Sequence, residues 1–158
     1  KYLNGDLTLG ESGAIIDYIM HRHGGGRLAV KPADPTYADY LFWFHFANGS
    51  FMPAVMMGMV GSMAAAADSP VLGHLRARVD KAWGMVEARL GEAPFLAGAE
   101  FSAADIITLF PLTTMRLFSP RDLANYPNIA RYLQTIGARP AFQRAMAAAD
   151  PGFTVPLT

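Results

Sequence analysis

The sequence predicts a mainly α-helical fold with a short extended arm at its N-terminal end. Two observations carry this expectation. Apolar residues recur at helical spacing along nearly the whole chain, whereas a strand-like pattern is confined to Tyr2–Leu9 around the turn signal Asn4-Gly5-Asp6. Prolines and glycines also fall where helices start and stop, with Pro127 and Pro140 each placed to open one.

Taken in order, the arm leads into a helix from about Ser12 to His21, with Ala14, Ile15, Tyr18 and Ile19 on its inner face. Gly24-Gly25-Gly26 ends it. A glycine run of this kind can cradle phosphate, but no Lys-Ser/Thr follows and no strand precedes, so a helix stop is the better reading. Residues 27–35, with Pro32 and Pro35, read as a linker. A second helix is expected over about Thr36–Ala66, kinked just before Pro53, which removes a backbone donor and crowds the preceding turn. The third spans about Ser69–Leu90, with Leu72, Leu75, Val79, Trp83, Val86 and Leu90 facing inward.

The clearest local signature is Ser102-Ala103-Ala104-Asp105. It reads as a capping box with Asp in place of the commoner Glu, and Phe101 and Ile106 flank it as a hydrophobic staple. The helix it opens is expected to run through Phe118, apolar on all sides and therefore central in a bundle. Residues 152–158 are expected to pack back on that bundle.

Composition narrows the functional classes. Of the 158 residues, 52% are hydrophobic and 16% charged, which describes a packed globular chain. Thirteen basic and thirteen acidic residues cancel, leaving no basic field for nucleic acid. There is no cysteine, so neither a disulfide nor a cysteine nucleophile arises within this stretch. Tyr40–Ala67 carries no Asp, Glu, Lys or Arg, but His45, Asn48, Pro53 and scattered aromatics favour a core helix over a membrane span. The chain starts without Met and without an apolar signal core. It reads as the middle of a longer protein, with cytoplasmic location as the default expectation.

Ligand chemistry is concentrated at Leu9-Gly10-Glu11-Ser12-Gly13, where an extended segment turns into a helix. A helix start carries free N–H groups and partial positive charge, suited to a carboxylate or phosphate. Ser12 can offer its hydroxyl and its N–H to such an anion, and Glu11 can accept from a neighbouring ammonium. Together they would hold both ends of an amino-acid head group. The competing reading is that Ser12 is simply an N-cap.

The arm into a Glu-Ser helix start, the proline-bearing linker and the Ser102–Asp105 box coincide in order. Leu7–Ile19, together with Phe95-Leu96-Ala97-Gly98 through Ile106, resembles the soluble glutathione transferase family of cytosolic, bacterial-like type. The resemblance covers essentially the whole chain. It implies that residues 1–26 are the C-terminal part of a thioredoxin-like glutathione-binding domain, 27–35 a linker, and 36–158 an all-helical substrate domain. It places Glu11 at the α-ammonium and Ser12 at the α-carboxylate of the γ-glutamyl end of glutathione, the co-substrate. It also implies that the thiol-activating Tyr, Ser or Cys lies upstream of Lys1, so no catalytic residue is assigned here. Phe46–Pro53 resembles the kinked first bundle helix of bacterial members, which makes Asn48 a candidate cleft-lining residue. Asn is no base, so polarising the thiol or holding water is its limit. Asn48-Gly49-Ser50 is also a formal glycosylation sequon, disregarded inside a helix.

Met52, Met56, Met115 and Phe118 are candidates for an adaptable apolar substrate site, with core packing as the alternative for each. The four histidines show no metal-ligand spacing, so no metal is expected. The implied activity is conjugation of glutathione thiolate to an apolar electrophile, a detoxification reaction, by a homodimer joined through the first two bundle helices. The alternative is a non-catalytic relative that keeps the fold as a binding or interaction module.

Overall fold

The computed structural model describes residues 2–64 and 66–158. Strands β1 (Tyr2–Asn4) and β2 (Leu7–Leu9) pair antiparallel, with Tyr2 opposite Leu9. Seven α-helices follow among the described residues: α1 (Ser12–Arg22), α2 (Tyr37–Phe46), α3 (Met52–Ala64), α4 (Pro70–Glu92), α5 (Ala103–Leu112), α6 (Pro127–Gly137) and α7 (Pro140–Ala149). The architecture is the expected one: a two-stranded remnant of an α/β layer followed by an all-helical bundle. No helix among the described residues is long and apolar enough to cross a membrane.

The glycine run stops α1 as expected. Gly24 N–H reaches the carbonyls of Ile19 and Met20, and Gly26 N–H returns to Met20 at 2.9 Å. Gly25 and Gly26 adopt φ of +58° and +78°, which only glycine takes at little cost.

The long second helix is divided. Between α2 and α3, Ala47–Phe51 forms a π-turn in which Met52 N–H bonds Ala47 five residues back. Pro53, in the first turn of α3, supplies no N–H, and the widened turn absorbs the misfit that a plain kink was expected to take. α3 is described to Ala64; of the expected extension to Ala66, Ala65 lies outside the described residues and Ala66 is no longer helical. α3 then packs tightly on α4. A Cβ at Gly58 would stand 2.7 Å from Val79 Cγ2, and one at Gly61 would stand 2.6 Å from Leu75 Cδ1.

Trp83 on α4, 2% exposed, sits at the centre of the core, edge-on to Phe51 at 5.5 Å and tilted against Tyr126. Arg121 lies over its ring and pairs with Asp80 at 2.8 Å. The Glu87 carboxylate receives the Asn128 and Ile129 N–H groups, each at 3.0 Å, and so caps α6 from a neighbouring helix.

α5 departs from expectation in two ways. It ends at Leu112, not Phe118, because Pro111 lies in its last turn and Thr113 leaves helical geometry. The Thr113 hydroxyl takes the Leu109 carbonyl at 2.7 Å, and a short 3₁₀ turn, Thr114–Leu117, follows. Nor is α5 enclosed on all sides. Ile107, Thr108 and Leu112 are buried, while Ile106 and Phe110 are 39% and 48% exposed, turned away from the bundle. The tail packs back as expected: Leu157 lies against Gly137, and Arg116 donates to the carbonyls of Pro156 and Thr158.

Candidate functional site

The Glu-Ser turn is built on irregular backbone. Glu11 occupies the cap position of α1 at φ 62°, ψ 118°, a region that non-glycine residues rarely adopt. Strain of this kind costs about 1–3 kcal/mol and persists where surrounding structure imposes it, often at ligand sites. Ser12 is therefore the first helical residue, not the cap. No side chain caps α1, and its first bond beyond the turn runs from Ile15 N–H to Glu11 at 2.9 Å. The competing N-cap reading of Ser12 is thereby removed. Its hydroxyl oxygen instead accepts from Asn48 Nδ2 at 2.7 Å.

Glu11 and Asn48 lie on the rim of a cleft of about 820 Å³ between α1 and α2. Ala14, Asp17 and His21 form one wall; Tyr37, Tyr40, Phe44 and His45 form the other. The start of α1 packs beside α2 and α5: a Cβ at Gly13 would meet Ile107 and Phe44 at 3.7–3.9 Å, ordinary contact distances. Burial raises the Tyr40 phenol above its ordinary pKa, with the Asp17 carboxylate and Tyr37 adding to the effect. Tyr40 is thus a neutral donor throughout the physiological range. Asp17 and His21 face each other at 3.5 Å on the exposed side of α1.

The remaining candidates disperse. Met115 is 4% exposed and belongs to the core. Met52 packs against that core, half-buried, while Met56 and Phe118 are 40% and 65% exposed. None of the four lines the cleft beside Glu11. Tyr37, Tyr40, Asp17 and His21 were not anticipated in the cleft. The spacing of Tyr40, Phe44 and Asn48, four residues apart on one helix face, was the available signal. Among the described residues, no group of three His, Asp or Glu side chains is placed to hold a metal ion.

Ser102 and Asp105 serve structure. Asp105, fully buried, accepts from Leu96 N–H (2.9 Å), Ser102 N–H (2.8 Å), the Ser102 hydroxyl (3.2 Å) and the Tyr132 hydroxyl (3.1 Å). The capping box thus also pins the Phe95–Gly98 loop and α6 to the start of α5. Burial pushes the Asp105 carboxyl above its ordinary pKa, against the four hydrogen bonds that favour its charged form. Burial and the adjacent Asp105 raise Tyr132 well above its usual value.

A family model described as the glutathione S-transferase C-terminal domain matches residues 49–140. Glutathione S-transferase 3 of Zea mays is 31% identical over 153 residues, which cover 92% of this chain and 69% of that protein. A glutathione S-transferase from Actinobacillus pleuropneumoniae is similar in structure, with TM-score 0.83 and 27% identity over 94% of this chain and 67% of that one. A glutathione transferase from Burkholderia graminis, solved with two glutathione molecules bound per subunit, gives TM-score 0.70 at 26% identity, covering 94% of this chain and 65% of its own. On the domain match and the identity to the maize enzyme, both in register with the fold described above, the chain belongs to the glutathione S-transferase family.

Proposed function

We propose that this chain supplies the γ-glutamyl anchor and the helical substrate domain of a transferase that conjugates glutathione to apolar electrophiles. One observation carries the reading: an uncapped helix start, held by strained backbone at Glu11, with the Ser12 hydroxyl outside the helix's own hydrogen bonding. There the Ser12 hydroxyl and the first N–H groups of α1 receive the α-carboxylate, aided by the positive helix end. The exposed Glu11 carboxylate faces the α-ammonium. Residues 1–26 then belong to the glutathione-binding domain and 36–158 to the substrate domain. The anchor lies at the end of glutathione away from sulfur. Lowering the thiol pKa, which generates the nucleophile, is therefore a task that neither Glu11 nor Ser12 performs. Exposed Leu41 and Phe42 on α2 offer apolar surface for a homodimer.

The test is glutathione conjugation to an aryl halide by the intact natural protein and by Ser12→Ala. The expected result is activity in the first and a glutathione KM raised on the order of tenfold or more in the second, the scale of a hydrogen bond to a charged group. An intact protein that binds glutathione without turnover would favour the non-catalytic alternative. An unchanged KM in Ser12→Ala would remove the anchor assignment.

A further inference from the structure

Ser12 and Asn48 stand 36 residues apart in the chain, on different helical segments, yet share a 2.7 Å hydrogen bond. Both are exposed. A hydrogen bond open to water adds little net stability, so the fold alone gives weak reason for the pairing. Its geometry gives a better one. A serine hydroxyl has one hydrogen and two lone pairs. With one lone pair committed to the Asn48 amide, the oxygen is held in place and its hydrogen must point elsewhere. That hydrogen is then free to donate to a group bound beside the first turn of α1, whose N–H groups no side chain caps.

The backbone presenting Asn48 is built to hold it. Asn48 sits in the π-turn Ala47–Phe51, whose two ends are 0% exposed while Asn48, Gly49 and Ser50 face outward. A π-turn widens the helix by one residue and redirects the side chains it carries, and it is often found at functional sites. Anchored at both ends in the core, this one presents the amide to Ser12 from a rigid base.

We propose that Asn48 is a positioning residue: its amide orients the Ser12 hydroxyl as a donor to the α-carboxylate of a γ-glutamyl ligand. The inference rests on the assignment of Glu11 and Ser12 above and gives Asn48 a task distinct from lining the cleft or serving the thiol. The task requires a donor at position 48. A carboxylate there would do the opposite, taking the Ser12 hydrogen for itself and setting negative charge beside the ligand's carboxylate.

The experiment measures the Kd of reduced glutathione by calorimetry on the intact natural protein and on Ser12→Ala, Asn48→Ala, the double variant and Asn48→Asp. Asn48→Ala is expected to weaken binding about three- to tenfold, the scale of one oriented hydrogen bond, and to add nothing in the Ser12→Ala background. Asn48→Asp is expected to weaken it further at neutral pH and to recover relative to wild type as acid protonates the new carboxyl and restores a donor. All variants alter exposed side chains and should keep the wild-type unfolding temperature. Losses that add independently in the double variant, or wild-type affinity in Asn48→Ala, would overturn the positioning role while leaving Ser12 as the anchor. Wild-type affinity in Ser12→Ala would overturn the anchor and this proposal together.

Discussion

Two helix starts in this molecule use the same chemistry, a serine beside an acid, to opposite ends. At α5, Asp105 follows Ser102 by three residues, folds back onto the cap and is fully buried with four donors around it. At α1, Glu11 precedes Ser12 by one residue and stays exposed, and neither side chain caps the helix. A separation of three puts the acid within reach of the cap N–H, whereas a separation of one makes the acid itself the cap position. Spacing decides which acid can turn inward, and burial decides whether the result is a structural joint or a surface open to a ligand.

The largest test of this contrast is Asp105→Ala. It leaves the Leu96 N–H, the Ser102 N–H and the Tyr132 hydroxyl without their buried partner, and should cost about 3 kcal/mol or more in urea unfolding. A loss below 1 kcal/mol would mean that the joint relaxes to admit other partners. Ser102→Ala should cost less, about 1–2 kcal/mol, as cap removals do. Glu11→Gly should move the other way. Glycine tolerates a φ of 62°, so stability should rise by about 1 kcal/mol or less while glutathione affinity falls. A destabilised Glu11→Gly would show that the strained turn is held by side-chain contacts of Glu11 itself. Ser12→Ala should shift stability by less than about 0.5 kcal/mol, the range of ordinary surface changes.

The titration of two aspartates sharpens the comparison between buried and exposed turns. Burial raises Asp105, so between the unfolded and folded pKa values the native state binds more protons than the unfolded chain. Its contribution to stability therefore falls as pH rises through that window, starting from the ordinary carboxylate range. Asp34, fully exposed, is lowered by hydrogen bonds from the Thr36 N–H and hydroxyl. Its small contribution is present above the unfolded value and lost as pH falls through the folded one. Carboxyl-resolved NMR titration should place Asp105 above Asp34; the reverse order would show the four donors at Asp105 outweighing its desolvation.

What could be read from the sequence was what neighbouring residues decide among themselves. The capping box at Ser102–Asp105, the glycine stop after α1 and the proline starts of α6 and α7 depend on contacts within a few residues, so local spacing is enough. Predictions failed where a local rule met a competing one. The apolar run after Ser102 hid the break at Pro111 and Thr113, and the helical pattern around Pro53 hid a π-turn, because both keep hydrophobic periodicity while changing backbone geometry. A continuous apolar pattern likewise placed α5 inside the bundle, although Ile106 and Phe110 face outward.

The sequence by itself determined the helical architecture, the family resemblance and the position of the Glu-Ser turn, because hydrophobic spacing and turn chemistry are written along the chain. Only the tertiary structure decided that Ser12 is not a cap, that Glu11 bears a positive φ and that Asn48 reaches across to the serine. The last is a relation between segments 36 residues apart, set by how α1 and the π-turn come together. No local pattern encodes which lone pair of a hydroxyl a distant amide will occupy.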